Sequence, residues 1–126
     1  PLLRKLTTLT MRDLALSDIT PLGAISLLRE LSLPNNAISD LRPLASLTRL
    51  RFLNLAGNEV SDLTPLINLN RLTTINLTNN EVSDLSPVGA IADLKQVWVR
   101  GNPLSNETLT EVVPVLRAAG IFVVGI

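Results

Sequence analysis

The sequence predicts an α/β fold, a solenoid of short stacked coils with a parallel β-sheet along one side. Three observations support this fold: leucines recur at a fixed interval, alternating apolar residues follow each of them, and the C-terminal segment changes to helical spacing. Self-similarity at a fixed period of roughly 20–50 residues indicates coils that pack mainly against their neighbours. Such stacks offer long surfaces, which favours binding over chemistry.

Each coil opens with a short predicted strand. Counting slots from the first leucine of the 22-residue repeat, slots four and six are apolar and alternate with mostly polar residues, which indicates one buried face. The first slot holds Leu6, Leu28, Leu50, Leu72 and Leu94; the fourth holds Leu9, Leu31, Leu53, Ile75 and Val97; the sixth holds Met11, Leu33, Leu55, Leu77 and Val99. Because the strands are copies running in one direction, we expect a parallel sheet with strands about 4.8 Å apart.

Asparagine occupies the ninth slot of four coils, where the chain leaves the strand and turns inward. These residues are Asn36, Asn58, Asn80 and Asn102, whereas the first coil has Leu14. An amide side chain carries both donors and an acceptor, so it can satisfy buried backbone groups of neighbouring turns. We therefore predict a structural asparagine ladder.

A Ser-Asp pair and a proline mark the return segment of each coil. The aspartates are Asp18, Asp40, Asp62 and Asp84, and the prolines three residues later are Pro21, Pro43, Pro65 and Pro87. Thr20, Thr64 and Ser86 directly precede three of these prolines, which predicts hydroxyl N-caps followed by proline at the first helical position. The segments are too short for more than a turn or two, so we expect 3₁₀ geometry that buries Leu22, Leu44, Leu66 and Val88. A loop-capping role suits one aspartate per turn better than a calcium site.

The two ends depart from the repeat. Leu3 falls in the slot of Ile25, so residues 1–5 are interpreted as the end of a truncated preceding repeat, and further N-terminal repeats are expected; the alternative is that residues 1–5 form a makeshift cover of the first coil. Within 107–119, Leu109, Val112, Val113 and Leu116 fall at helical spacing, and Pro114 is expected to kink or split that helix. Gly120 then serves as C-cap, and residues 121–124 form a last strand. We divide the single domain 1–126 into repeats 6–27, 28–49, 50–71, 72–93 and 94–106 and a C-terminal cap 105–126.

The composition argues against several classes of function. Lys plus Arg and Asp plus Glu number 11 each, so the net charge of zero offers no electrostatic argument for nucleic acid or an anionic membrane as main partner. There is no Cys and no His, which removes the usual ligands of zinc, iron–sulfur and haem sites and excludes thiol or histidine catalysis. We predict no enzymatic activity, no cofactor and no metal. No apolar run approaches the roughly 20 residues of a membrane-spanning helix, so no membrane insertion is expected.

The motif Leu50-x-x-Leu53-x-Leu55-x-x-Asn58-x-Val60-Ser61-Asp62-Leu63-x-Pro65-Leu66-x-x-Leu69, with close copies at 28–49 and 72–93, resembles the leucine-rich repeat family. The similarity is to its 22-residue subclass, found in bacterial internalin-like surface proteins and in the phosphatase regulator Sds22. The resemblance covers essentially the whole chain. It implies a right-handed arc with the strands on the concave side. It also implies a piece of a larger bacterial protein, extracellular or at the cell surface, with the cytoplasm as the alternative.

The exposed strand slots predict a partner-binding surface on the concave face. One row contains Asn54, Asn76 and Trp98, and we expect Phe122 to lie beside Trp98 as a cross-strand neighbour. Tryptophan and arginine are favoured interface anchors, so Trp98, Phe122 and Arg100 form the predicted hot spot. The full candidate set is Trp98, Phe122, Arg100, Phe52, Asn76, Asn54, Gln96, Glu30 and Arg12. Alternatively, Trp98 and Phe122 only cover the terminal edge of the sheet.

Charges are segregated in the repeat. The four aspartates stack along one flank with Glu59 and Glu81, whereas Arg29, Arg51 and Lys95 precede the strands, with Arg49 and Arg71 close by. The leading hypothesis is a non-enzymatic module that binds another protein of unknown identity. The alternatives are a structural spacer in a larger surface protein and an Sds22-like intracellular regulatory subunit.

Overall fold

The computed structural model describes residues 3–126 and contains one six-stranded parallel sheet whose strands lie side by side in chain order. The strands are β1 Thr8–Thr10, β2 Glu30–Ser32, β3 Phe52–Asn54, β4 Thr74–Asn76, β5 Gln96–Trp98 and β6 Phe122–Val124. From β1 to β5, equivalent slots of successive repeats lie opposite one another, as with Leu31, Leu53 and Ile75. Short turns and a C-terminal helix and strand complete the coils, so the predicted fold class is confirmed.

The inward-facing aliphatic residues of all coils form one continuous core. In the middle coils these side chains have no accessible surface, as at Leu53, Leu55 and Leu72. At the N-terminal end, Leu6, Leu9 and Met11 are only partly buried. An inner coil is packed on both sides, whereas the first described coil has a neighbour on one side only.

The return segments are 3₁₀ turns, as expected from their length. They span Thr20–Ala24, Arg42–Leu44, Thr64–Leu66 and Ser86–Ala90, and a further turn, Leu3–Lys5, precedes β1. Leu22, Leu44, Leu66 and Val88 are buried by them. Before β1, the Leu6 N–H donates to the Leu3 carbonyl, the same bond that Leu28 makes with Ile25. Pro1 and Leu2, the rest of the predicted truncated repeat, lie outside the described residues.

The predicted hydroxyl N-caps were wrong. Thr20, Thr64 and Ser86 are the first residues inside the turns, and the N-cap residues Ile19, Leu63 and Leu85 make no side-chain capping bond. The aspartate two residues before each turn accepts its first N–H instead. These bonds are Thr20 N to Asp18 at 2.9 Å, Arg42 N to Asp40 at 3.0 Å, Thr64 N to Asp62 at 2.9 Å and Ser86 N to Asp84 at 2.8 Å. A short carboxylate side chain reaches the backbone N–H of the residue two positions ahead. The Thr and Ser hydroxyl groups belong to the first residue of the turn, so they do not occupy the N-cap position before it.

The C-terminal cap begins with a wide π-helical turn, Thr108–Val112, followed by helix α1, Val113–Ala118. Pro114 lacks an N–H, and in a regular α-helix its ring would collide with the carbonyl four residues earlier, so the widened turn precedes it. The chain leaves α1 through Gly120, at φ +89°. The Gly120 N–H donates to the Arg117 carbonyl and the Ile121 N–H to the Leu116 carbonyl, each at 3.0 Å, which is the pattern of a Schellman motif.

One of the four apolar residues at helical spacing, Leu109, does not pack into the core. Leu109 is exposed, and Thr108 is buried in its place, with its hydroxyl donating to the Ser83 carbonyl at 2.7 Å. A π-turn contains more residues than an α-turn, so the inward face shifts along the sequence. Val113 and Leu116 are buried, and Val112 is partly buried. None of the helices within residues 3–126 has the length and apolarity needed to cross a membrane.

The eighth slot adopts a left-handed backbone in five coils. It holds Asp13, Asn35, Gly57, Asn79 and Gly101, with φ between 57° and 76°. Asparagine and glycine tolerate this region better than other residues. At Gly57 an added Cβ would overlap the Asn35 side-chain oxygen, and Gly101 has the same relation to Asn79. From Asn35 onward, asparagine and glycine therefore alternate in this slot. The asparagine side chain of one coil occupies the space beside the glycine of the next coil, where a side chain would otherwise lie.

Gly57→Ala is expected to lower the free energy of unfolding by about 1–3 kcal/mol, from backbone strain and the overlap with Asn35. Urea denaturation measures the loss. Gly120→Ala is the control, since Gly120 also has positive φ but nothing within 4 Å of an added Cβ. Equal losses in both variants would show that the overlap contributes nothing.

Candidate functional site

The exposed strand residues form two parallel rows on the concave face. Pairing of successive strands defines their order. The first row is Thr8, Glu30, Phe52, Thr74, Gln96 and Phe122, and the second is Thr10, Ser32, Asn54, Asn76, Trp98 and Val124. Arg12 and Arg100 follow the second row, just beyond the ends of β1 and β5.

Phe122 does not lie beside Trp98. It pairs with Gln96, and Val124 pairs with Trp98, so the predicted register of the last strand was wrong by two residues. Alternate strand residues point to the same face, so the apolar pattern of residues 121–124 allows both registers. The cap between β5 and β6 selects one of them, and its π-turn was not predicted.

The C-terminal end of the concave face exposes large apolar side chains. Trp98 is 42% exposed, Phe122 72% and Val124 40%. We define Gln96, Trp98, Arg100, Phe122 and Val124 as the C-terminal concave patch. Next to Trp98 is a cavity of about 310 Å³, lined by Thr78, Trp98, Arg100, Val124 and Gly125. Gly125 has φ +95°, and an added Cβ there would lie 2.9 Å from the Arg100 backbone nitrogen, so glycine permits the close approach of these two segments.

Asn54 and Asn76 serve their own strands as well as the surface. The Oδ1 atom of Asn54 accepts the Ala56 N–H, and that of Asn76 accepts the Thr78 N–H, each at 3.0 Å. Asn54 Nδ2 also donates to the Ser32 hydroxyl at 3.2 Å. This role was missed in the sequence, although asparagine often bonds to backbone two residues ahead where a strand ends. The two side chains are therefore partly committed before any partner arrives.

The remaining candidate residues lie away from the C-terminal concave patch. Glu30 on β2 accepts the Thr8 hydroxyl at 3.5 Å, and Arg12 forms an ion pair with Asp13 at 3.2 Å. Phe52 is 37% exposed and lies in the row of Phe122, separated from it by Thr74 and Gln96. The structure thus brings together Trp98, Arg100, Gln96 and Phe122, and leaves Glu30 and Arg12 at the far end of the sheet.

The ladder asparagines bond to the backbone of adjacent coils. Asn58 Oδ1 accepts the Ile38 N–H at 3.0 Å, and its Nδ2 donates to the carbonyls of Leu33 and Leu55 at 2.9 and 3.0 Å. Asn80 makes the equivalent bonds one coil later, and both side chains are buried. Asn36 and Asn102 make the same kind of bonds but are partly exposed. Because the backbones of their own coil and of the preceding coil use both amide atoms, these residues hold the fold.

The aspartate flank is engaged by its own turns. Three hydrogen bonds from the Arg42 guanidinium to the Asp40 carboxylate, at 2.8, 2.9 and 3.1 Å, together with the Arg42 backbone N–H, lower the pKa of Asp40 to about 2. Hydrogen bonds from Thr20 and Thr64 likewise lower the pKa of Asp18 and Asp62. Within residues 3–126, no group of three or more Asp or Glu side chains is arranged to hold a metal ion.

Arg42→Ala is expected to raise the pKa of Asp40 towards the ordinary value of 3.8. In the folded protein the pKa lies below that value, so ionisation of Asp40 favours folding. Its stabilising effect is complete above about pH 4 and is lost as pH falls from 3.8 towards 2. Side-chain carboxyl NMR titration measures the pKa, with Arg12→Ala as control. An unchanged Asp40 titration would mean that the backbone N–H alone maintains the low pKa.

Comparisons with known proteins agree with the repeat and the fold described above. A family model described as leucine-rich repeats in two copies matches residues 26–68. Internalin C2 from Listeria monocytogenes superimposes with a TM-score of 0.86 at 35% sequence identity, over 98% of this chain and 53% of that one. The chain therefore spans about half the length of that relative. The comparison with curated proteins found no match.

Two more distant structures show the same fold. Internalin F from L. monocytogenes has a TM-score of 0.72 at 22% identity, over 94% of this chain and 40% of that one. The leucine-rich repeat protein LIC12759 from Leptospira interrogans has a TM-score of 0.68 at 18% identity, over 95% and 37%.

Proposed function

Because the chain belongs to the leucine-rich repeat family, whose members commonly bind other proteins, we propose that it is a non-enzymatic module that binds a partner protein through its concave face. The C-terminal concave patch is the centre of this surface. The observation that carries the proposal is the 42% exposure of Trp98, beside Arg100 and an open cavity.

The composition of the patch suits a protein interface. Such interfaces have an apolar centre enriched in aromatic residues and arginine, surrounded by polar residues. Trp98, Phe122 and Val124 provide the apolar area, and Gln96 and Arg100 provide polar groups at its margin. The cavity of about 310 Å³ next to Trp98 has room for a side chain of the partner. A desolvated tryptophan in such a position is a frequent hot spot.

Several features support a role without catalysis. The chain has no histidine or cysteine, and three of the aspartates on the flank have a lowered pKa. A lowered pKa keeps a carboxylate ionised and makes it a weaker proton acceptor.

The likeness to internalin C2 supports an extracellular or cell-surface location in a bacterium. A cytoplasmic regulatory subunit is the alternative, and a signal peptide in the complete gene would exclude it.

The test is the double variant Trp98→Ala/Arg100→Ala. We expect it to lose the partner that the wild type captures from cell extracts, with at least about a tenfold loss of affinity once that partner is purified. Trp98 is the only tryptophan, so its fluorescence should shift to shorter wavelength when the partner covers it.

The matched control is Leu109→Ala/Val115→Ala, which removes two exposed apolar side chains from the C-terminal cap, one in the π-helical turn and one in α1. The control should bind within about twofold of the wild type. If Trp98→Ala/Arg100→Ala retains the same captured proteins at the same affinity, the concave patch is not the interface, and the spacer hypothesis gains support.

A further inference from the structure

A run of exposed cations lies where the chain enters the strands. It consists of Lys5, Arg29, Arg49, Arg51, Arg71 and Lys95, all of them exposed. We call these six residues the basic rim. The proposed protein-binding surface does not include them. Because the chain has as many acidic as basic residues, its net charge of zero does not indicate this local cluster.

Backbone hydrogen bonds place part of the basic rim in one column. The Arg51 N–H donates to the Arg29 carbonyl at 2.8 Å, and residue 73 links Arg51 to Lys95 through bonds of 2.8 and 2.9 Å. Arg29 and Arg51 are therefore about 4.8 Å apart along the stack, and Arg51 and Lys95 are about twice as far apart because Thr73 lies between them. Arg49 and Arg71 immediately precede the buried Leu50 and Leu72, and so form a second column beside the first. Four coil spacings separate the coil of Lys5 from that of Lys95, a length of about 19 Å.

The basic rim has no internal counterions. Within residues 3–126, ion pairs join Arg12 to Asp13 and Arg42 to Asp40, and neither involves the rim. Glu30 and Asp93 are the acidic residues nearest to it in the sequence, which leaves an excess of four positive charges.

The aspartate flank differs from the basic rim because its charged groups have a structural role. Asp18, Asp40, Asp62 and Asp84 each accept a backbone N–H at the start of a turn. No corresponding bond from a rim side chain occurs among residues 3–126. The flank follows the strands, whereas the rim precedes them, so the two sets of charges lie at different places around each coil. Among residues 3–126 no ion pair joins the flank to the rim.

We propose that the basic rim binds a linear anionic polysaccharide carrying sulfate or carboxylate groups. Four of its six residues are arginines, whose planar guanidinium groups bind oxyanions through two hydrogen bonds. The charges follow a line along the solenoid axis, which suits a chain with repeated charges. Thr7, Thr48 and Asn70 lie between the cations and are exposed, so their side chains are available to sugar hydroxyl groups.

Other anionic partners fit the basic rim less well. A protein interface has an apolar centre, and single-stranded nucleic acid requires aromatic residues on which bases stack. Phe52 is the aromatic residue next to the rim, and it belongs to a strand of the concave sheet. The surface therefore offers charge and hydrogen bonds with little apolar area.

The experiment uses heparin as the probe, with affinity measured by calorimetry between about 50 and 200 mM salt. The double variant Arg51→Gln/Arg71→Gln should lose about 10- to 100-fold in affinity near 0.1 M salt. The slope of log K against log salt concentration should become shallower by about two, because two fewer counterions are released. Circular dichroism checks that the fold is retained.

Arg12→Gln/Arg42→Gln is the control matched in charge, and it should keep at least about half of the wild-type affinity. Trp98→Ala should bind heparin as the wild type does, which separates this proposal from the proposed protein-binding function. Desulfated heparin distinguishes the two ligand groups: retained binding identifies carboxylates, and lost binding identifies sulfates.

Three results would overturn the proposal. The first is that the wild type fails to bind heparin at about 50 mM salt. The second is that the Arg12→Gln/Arg42→Gln control loses as much affinity as the rim variant. The third is that polyglutamate or duplex DNA binds more tightly than heparin at the same salt concentration. The third result would assign the rim to an acidic protein or a nucleic acid.

Discussion

Asn58→Ala is expected to lower the free energy of unfolding by about 3–5 kcal/mol. The substitution leaves the Ile38 N–H and the Leu33 and Leu55 carbonyls without their side-chain partner in the interior. Each unsatisfied buried group costs about 1–3 kcal/mol. Asn58 links its own coil to the preceding one, so the substitution also weakens the contact on which both coils depend. Urea denaturation monitored by circular dichroism gives the difference.

Asn36→Ala is the control, because Asn36 makes the same type of bonds but is partly exposed to water. Water can hydrogen-bond to some of the backbone groups that this variant leaves without the Asn36 amide, so we expect the free energy of unfolding to fall by about 1–2 kcal/mol. Similar losses at both positions would show that burial does not determine the contribution of the ladder.

Leu53→Ala is expected to destabilise the protein by about 3–5 kcal/mol, the range for a fully buried leucine in a core that cannot collapse. Leu53 has no accessible surface and lies in a strand with paired neighbours on both sides. Those strands hold the cavity open because their backbones are joined by hydrogen bonds. Thermal and urea unfolding both report the change.

Leu9→Ala at the equivalent position of β1 provides the comparison. Leu9 is only partly buried and pairs with Leu31 on one side, so we expect a loss of about 1–2 kcal/mol. If the loss at Leu9 equals that at Leu53, the first described coil is as well packed as the middle coils.

The stacked fold could be predicted from sequence because each coil repeats the same short-range pattern. Alternation at slots four and six indicates a buried strand face, and copies at a constant interval must pair in parallel. The structure confirms this, with Leu31, Leu53, Ile75 and Val97 in successive strands. Where the repeat ends, prediction was less accurate: the π-turn, the exposure of Leu109 and the burial of Thr108 follow from how the cap packs around Pro114.

The candidate site was predicted in part. The alternation identifies Trp98 and Phe122 as residues of the exposed face, and their exposure of 42% and 72% agrees with that assignment. Their pairing depends on the two-residue register of β6, which alternation leaves open. The side-chain bonds of Asn54 and Asn76 to their own strands were also missed, since residue type alone does not show which polar atoms the backbone uses.

The sequence by itself determined the repeat, the parallel sheet, the buried leucines and the separation of basic and acidic residues, because these follow from periodicity within one coil and its copies. The tertiary structure alone decided the register of the last strand. It also decided which cations remain without an ion-pair partner. These features depend on distances between atoms in different coils or turns, and a repeating pattern determines which face a residue occupies but not which atoms it meets there.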